Sequence, residues 1–241
     1  VTLFGGGGGF FYVPILTLLF HVPTQIAAGT SLAVTIPTVI VGSVEHYRKG
    51  NVDLKVGLVF GVSGIIGALA GAYVSNLFSP VVLRRLFGIY SLALSIPMAL
   101  TSRNRLKNRD NVKNVSPSLT ISAVLLGVFF GFLSGIMAGL FGTSGTASIV
   151  GGLYILGLPV TLIIGTSTLI VLFNAVFGFI GHLMVGHFDP ALLVLLTGGS
   201  IIGAFIGPRI LERINVRRLE KLYGVFFMLL VVGFGLVMLC K

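Results

Sequence analysis

The sequence predicts an all-α, polytopic membrane protein made of two inverted-topology helical repeats, with short broken helices near its centre. Three observations predict it: an apolar composition poor in charge, a gapless internal duplication, and basic residues that fall on different turns in the two copies. Of 241 residues, 55% are hydrophobic and 9% charged, and the mean hydropathy is +1.07. A water-soluble surface cannot be assembled from so few charges. From Asn114 through Pro190 the only Asp, Glu, Lys or Arg is Asp189. That stretch is several times the roughly 20 apolar residues needed to cross a bilayer, so it holds several crossings and the lipid bilayer is the first partner. Glycine is abundant (34 residues) and tryptophan absent, which suits close helix packing and leaves Tyr and Phe as interface anchors.

The duplication appears at an offset of 136 positions (159 minus 23). It pairs Pro23 with Pro159, Gly29-Thr30-Ser31 with Gly165-Thr166-Ser167, Gly42 with Gly178, His46 with His182, Gly50 with Gly186 and Asp53 with Asp189. Further on it pairs Ile65-Ile66-Gly67-Ala68 with Ile201-Ile202-Gly203-Ala204, Gly71 with Gly207 and Gly88 with Gly224. Chance alignment of apolar helices matches Leu with Val; Gly, Pro, His and Asp falling together imply a duplicated backbone design. The expected units are a first repeat over 1–101, a basic linker over 102–117 and a second repeat over 118–241. The second repeat reads as helical spans near 118–140, 161–184, 189–211 and 217–240, with a short apolar segment near 144–157. The counterpart of its first span would fall before Val1, so an N-terminal helix of about 20 residues is expected to be missing from the first repeat.

Charge placement predicts orientation. Arg48, Lys49, Lys55, Arg103, Arg105, Lys107, Arg109 and Lys113 occupy the loops at 46–55 and 101–117, against Arg84 and Arg85 on the opposite side. In the second copy the basic residues move to the other turn, at 209–221. All three basic loops are expected to be cytoplasmic in a multi-pass protein of the cell membrane. Opposite bias in equivalent turns means inverted copies, which requires an odd number of crossings per unit, with the short segment crossing or nearly crossing as a fifth element. The net charge of +10 is thus explained by topology, and no nucleic-acid partner is expected. The single Cys240 excludes a disulfide framework within the chain or a cysteine-based metal cluster.

Each copy has a glycine-rich break at one place, Gly5-Gly6-Gly7-Gly8-Gly9 in the first and Gly142-Thr143-Ser144-Gly145-Thr146 in the second. A short helix starting after such a break aims free N–H groups and its positive dipole end into the bundle, which can hold an anion without a buried Lys or Arg. Breaks in lipid are tolerated only when buried in protein or lining a cavity, so two symmetric breaks predict one shared central site. The candidate substrate-binding residues are Gly7, Gly8, Gly9, Thr30, Ser31, Thr143, Ser144, Gly145, Thr166, Ser167 and Asn174. Against this stands the plainer reading that the glycines only permit tight helix crossing and the hydroxyls bond their own helices. His46 and His182 are candidates for proton coupling. Yet His followed by Gly and then Asp also describes an ordinary helix-turn-helix joint, with Gly50 and Gly186 ending one helix and Asp53 and Asp189 capping the next. Gly67 with Gly71, and Gly203 with Gly207, read as helix-packing pairs.

The pattern of glycine-rich break, Pro23, Gly29-Thr30-Ser31, His46, Gly50 and Asp53, repeated in the second half, resembles the sulfite exporter TauE/SafE family of membrane permeases over essentially the whole chain. The resemblance implies transport of sulfite, organosulfonates or related sulfur-containing anions. Family members typically carry a Gly-x-Gly-Gly-Gly-like run followed by a proline; Gly5 to Gly9 with Pro14 keeps that pattern. The second half departs from it at Thr143, Ser144 and Thr146, and has Val150 where the proline would fall.

The expected function is a carrier for a small anion, in the export direction, by alternating access. It is not an enzyme, and needs neither cofactor nor metal; a homo-oligomer is left open. An anion channel is the alternative. An intramembrane serine protease is a weaker one, suggested by Gly-x-Ser-Gly at 61–64 and 142–145.

Overall fold

The computed structural model describes residues 9–105, 120–187, 189–198 and 232–239. Seven helices are defined among them: α1 (Gly9–Leu19), α2 (Thr24–Arg48), α3 (Leu54–Leu77), α4 (Pro80–Arg105), α5 (Ile121–Phe141), α6 (Thr146–Ile155) and α7 (Val160–Met184). Residues 190–198 and 232–239 are also helical. The chain is a polytopic membrane protein, with α2, α3, α5 and nearly all of α7 long and apolar enough to cross a bilayer. The helix α4 runs into the basic segment at 102–117. Gly203, Gly207 and the basic loop at 209–221 lie outside the described residues.

Helix limits repeat at the sequence offset. Both α2 and α7 contain 25 residues, and each follows a proline, Pro23 or Pro159, in extended conformation. Both end identically. Gly50 and Gly186 take left-handed φ of 71° and 78°, and the next amide folds back, Asn51 onto the His46 carbonyl and His187 onto the His182 carbonyl, each at 2.9 Å. This closure satisfies carbonyls that the helix end leaves open. The Asp53 carboxylate then accepts from Val56 N at 3.1 Å, and Asp189 accepts from Ala191 and Leu192 N at 2.9 and 3.2 Å. The expected joint is present in both copies. Replacing Asp53 with alanine is expected to cost about 1 kcal/mol, read as a lower thermal midpoint in detergent; asparagine, which also caps, should retain most of it.

Glycine contacts give the relative directions of the helices. A β-carbon added to Gly131, Gly135 or Gly139 of α5 would overlap the carbonyl oxygens of Phe60, Gly64 and Ala68 of α3. Four-residue steps on one helix match four-residue steps on the other, so α3 and α5 run parallel, backbone against backbone. Gly67 and Gly71 meet the Phe132 and Ile136 carbonyls in the same seam. The remaining face of α3 carries exposed Leu58, Val62, Ile66 and Tyr73, the apolar surface that lipid requires.

The equivalent helices α2 and α7 pack on each other antiparallel. Gly29 meets His182, Gly178 meets Leu32, and Gly42 faces Thr168. Exchanging the copies exchanges their contacts: Gly29 abuts the His187 carbonyl, and its counterpart Gly165 abuts the Asn51 carbonyl. Each short helix has its own apolar core. Val13 and Leu16 of α1 lie with Ala27, Leu83 and Phe87, whereas Ile149 and Leu153 of α6 lie with Val39, Val56 and Phe60. The α1 core is at the end of the bundle where Thr24 and Gln25 bond the carbonyls of Pro80 and Phe78. The α6 core is at the other end, where α2 turns into α3.

Candidate functional site

Gly9, the last residue of the first glycine run, meets the second break inside the bundle. Between α5 and α6 the chain reverses within residues 142–145, all buried. Three of these are left-handed, Gly142 (φ 67°), Ser144 (φ 60°) and Gly145 (φ 67°). Glycine adopts this conformation freely, while Ser144 does so at a steric cost. Phe141, the last residue of α5, is held by Phe87 and Tyr90 of α4, with ring centroids 5.7 and 5.0 Å away. The reversal is therefore fixed from one side by packing.

From the other side it is fixed by Gly9 and Ser31. Gly9 is buried at the start of α1 and its α-carbon faces the Gly142 carbonyl, with Thr143 beside it. The Ser31 hydroxyl lies 2.9 Å from the Gly142 carbonyl and 3.3 Å from that of Gly9. One hydroxyl of α2 thus ties Gly9, at the start of α1, to the break between α5 and α6. Gly7 and Gly8 lie outside the described residues.

Next to this junction, the buried Asn174 of α7 donates through Nδ2 to Ser134 Oγ at 3.0 Å and to the Ser144 carbonyl at 3.4 Å. Ser134 donates in turn to the Gly131 carbonyl at 2.7 Å. Ser144 Oγ bonds the Thr143 carbonyl at 2.5 Å and pairs with Thr146 Oγ1 at 3.2 Å. Gly145 precedes α6 with no side-chain cap, so its first-turn N–H groups depend on something other than a capping side chain. Among the buried polar atoms without a partner in the described residues are Thr30 Oγ1 and Asn174 Oδ1. A buried polar group without a partner costs free energy, which marks a place to look for a ligand or water.

The structure brings together Gly9, Ser31, Thr143, Ser144, Gly145 and Asn174. It places Thr166 and Ser167 elsewhere. Thr166 Oγ1 accepts from Asp53 N at 2.9 Å, at the α2–α3 turn, and Ser167 donates to the Ile164 carbonyl of its own helix at 2.8 Å. The Ser167 proton is thus committed to its own helix, while Thr166 uses its hydroxyl as an acceptor at the α2–α3 turn. His46 stays at the end of α2, partly exposed. His182 is fully buried and its Nε2 lies 2.8 Å from the Gly139 carbonyl, one turn before the α5 break, with Nδ1 unpartnered. The His187 ring lies 5.8 Å away, and burial holds its pKa below the ordinary histidine value. Sequence reasoning missed Ser134, although its place beside Gly131 and Gly135 on one small-residue face signals close approach.

A membrane bundle with a buried, uncharged polar junction between two duplicated halves suits a transporter. Comparison with known proteins agrees. The family described as "Sulfite exporter TauE/SafE" matches residues 1–234. The chain is 35% identical over 206 residues to the "Probable membrane transporter protein YdhB" of Bacillus subtilis, covering 85% of this chain and 82% of that protein. It is 28% identical over 245 residues to YunE of the same organism, covering 95% and 90%. It is 29% identical over 234 residues to a probable membrane transporter protein of Methanocaldococcus jannaschii, covering 91% and 84%. No solved structure matches. The chain belongs to the sulfite exporter TauE/SafE family and is a membrane transporter.

Proposed function

We propose that this transporter carries a small sulfur-containing oxyanion, sulfite or an organosulfonate, outward across the cell membrane by alternating access of two inverted halves. The observation that carries the reading is the meeting of Gly9, where the first glycine run ends, and Gly142, where the second break begins, at Ser31. Backbone N–H groups at the start of a short helix, together with neighbouring hydroxyls, can replace the water shell of an anion without a buried cation. The antiparallel packing of the equivalent helices α2 and α7 supports inversion. With inverted halves, the loops at 46–55, 101–117 and 209–221 share one side, and their basic residues make that side cytoplasmic. The family's description supplies the substrate class.

Across an inside-negative membrane each exported negative charge gains about 2.3 kcal/mol per 100 mV, so export needs no coupling ion. In proteoliposomes loaded with radiolabelled sulfite, efflux is expected to saturate with concentration. It should also quicken under an inside-negative potagssium-valinomycin potential. Efflux indifferent to the potential would overturn the electrogenic mechanism, and single-channel currents in planar bilayers would overturn the carrier.

A further inference from the structure

The end of the bundle away from the α2–α3 turn contains a second polar feature, separate from the break. An open pocket of about 240 Å³ lies there between α1, α2 and α4, with Thr17, His21, Thr24, Pro80 and Arg84 in its lining. It has room for a small ion with several waters. Thr24 is committed to the Pro80 carbonyl at 3.1 Å. The other polar groups are not committed. The Thr17 hydroxyl is 7% exposed and has no partner, and the buried Nε of Arg84 has none either. The Arg84 guanidinium is always charged and presents a fork of donors suited to two oxygens of one anion. Among the described residues no carboxylate pairs with it: Glu45 bonds Lys49, while Asp53 and Asp189 cap helices.

The duplication adds an independent observation. In the second copy, α6 is ended by Gly157 at φ 77°, with Leu158 N returning to the Leu153 carbonyl at 3.3 Å. The equivalent position after α1 is His21, also left-handed at φ 55°. Glycine meets that conformation without steric cost, and a side chain there is strained. The first copy therefore carries an exposed imidazole, at the rim of the cavity, where the fold alone calls for glycine. Departures of this kind concentrate where function outweighs local preference.

We propose that this cavity is a binding site for a small oxyanion, with Arg84 supplying charge, Thr17 Oγ1 a hydrogen bond and His21 a further donor at the rim. Thr17 is eight residues along α1 from Gly9, about 12 Å, so the site is distinct from the break. The assignment leans on the transport reading only for the identity of the physiological anion.

The test is equilibrium binding of radiolabelled sulfite, sulfate and inorganic phosphate to the full chain in phosphatidylcholine nanodiscs. Arg84→Gln is expected to weaken binding at least about tenfold, Thr17→Val severalfold, and Arg84→Lys to restore part of the loss. Arg85→Gln, which does not line the cavity, should bind as the unaltered protein does. His21→Gly is expected to raise the thermal midpoint while weakening binding, a pair of opposite effects that a purely structural histidine would not produce. Unchanged binding in Arg84→Gln would overturn the proposal. So would an anionic lipid found by native mass spectrometry on the unaltered protein, lost in Arg84→Gln and not displaced by free anion. Arg84-dependent binding without flux of any sulfur anion would sustain the cavity and sink the transport reading; flux with half-saturation unchanged in Arg84→Gln would do the reverse.

Discussion

Replacing Gly135 with valine is expected to leave little correctly folded protein in the membrane. A β-carbon at this position would overlap the Gly64 carbonyl and crowd the Ala68 amide. Both are backbone groups of α3, so no side chain can turn aside to make room. Overpacking typically costs about 1–3 kcal/mol and more where the backbone must move. Here the neighbouring glycine contacts of Gly131 and Gly139 would be pulled apart as well. Fluorescence-detected size-exclusion chromatography of a tagged chain should show the monodisperse peak lost. A normal peak would mean that α3 and α5 are not in this contact.

Replacing Gly142 with alanine is expected to spare insertion and remove transport. Its φ of 67° is left-handed, and a β-carbon would press on the Ala28 backbone of α2. The conformation alone costs a residue with a side chain about 1–2 kcal/mol. Relief requires the break to move away from Ser31, which would separate Gly142 from Gly9. Flux in proteoliposomes should fall roughly tenfold or more, the equivalent of about 1.4 kcal/mol in a barrier. Gly151→Ala is the control, because a β-carbon there meets nothing within 4 Å and alanine is the better helix former. Equal flux from both variants would show that the geometry at the break does not govern transport.

Much of the fold was legible because the duplicated residues are those that shape backbone. Gly50 and Gly186, with Asp53 and Asp189, announce a helix end and a new cap, and the structure has both joints in both copies. The pairs Gly67 and Gly71 announced close packing, and they meet α5. The site was legible in part. Glycine runs showed where helices would be interrupted, and Gly9 and Gly142 do come together. Hydroxyl roles were not legible, because a serine or threonine in a helix has several acceptors within reach. Ser31 and Ser167 occupy equivalent positions, yet one bridges the breaks and the other bonds its own helix. His182 likewise gave no sign of its bond to the Gly139 carbonyl, since that depends on α5 and α7 lying side by side.

The seam between α3 and α5 has a mechanical consequence. One helix comes from each copy, and glycine removes the cushion of side chains that lets packed helices slide by fractions of an ångström. Such a pair behaves as a welded spine shared by both copies, able to serve as an axle but not as a shear plane. Exposure of a central ligand to one side and then the other would have to come from the short helices and their long partners swinging about that spine.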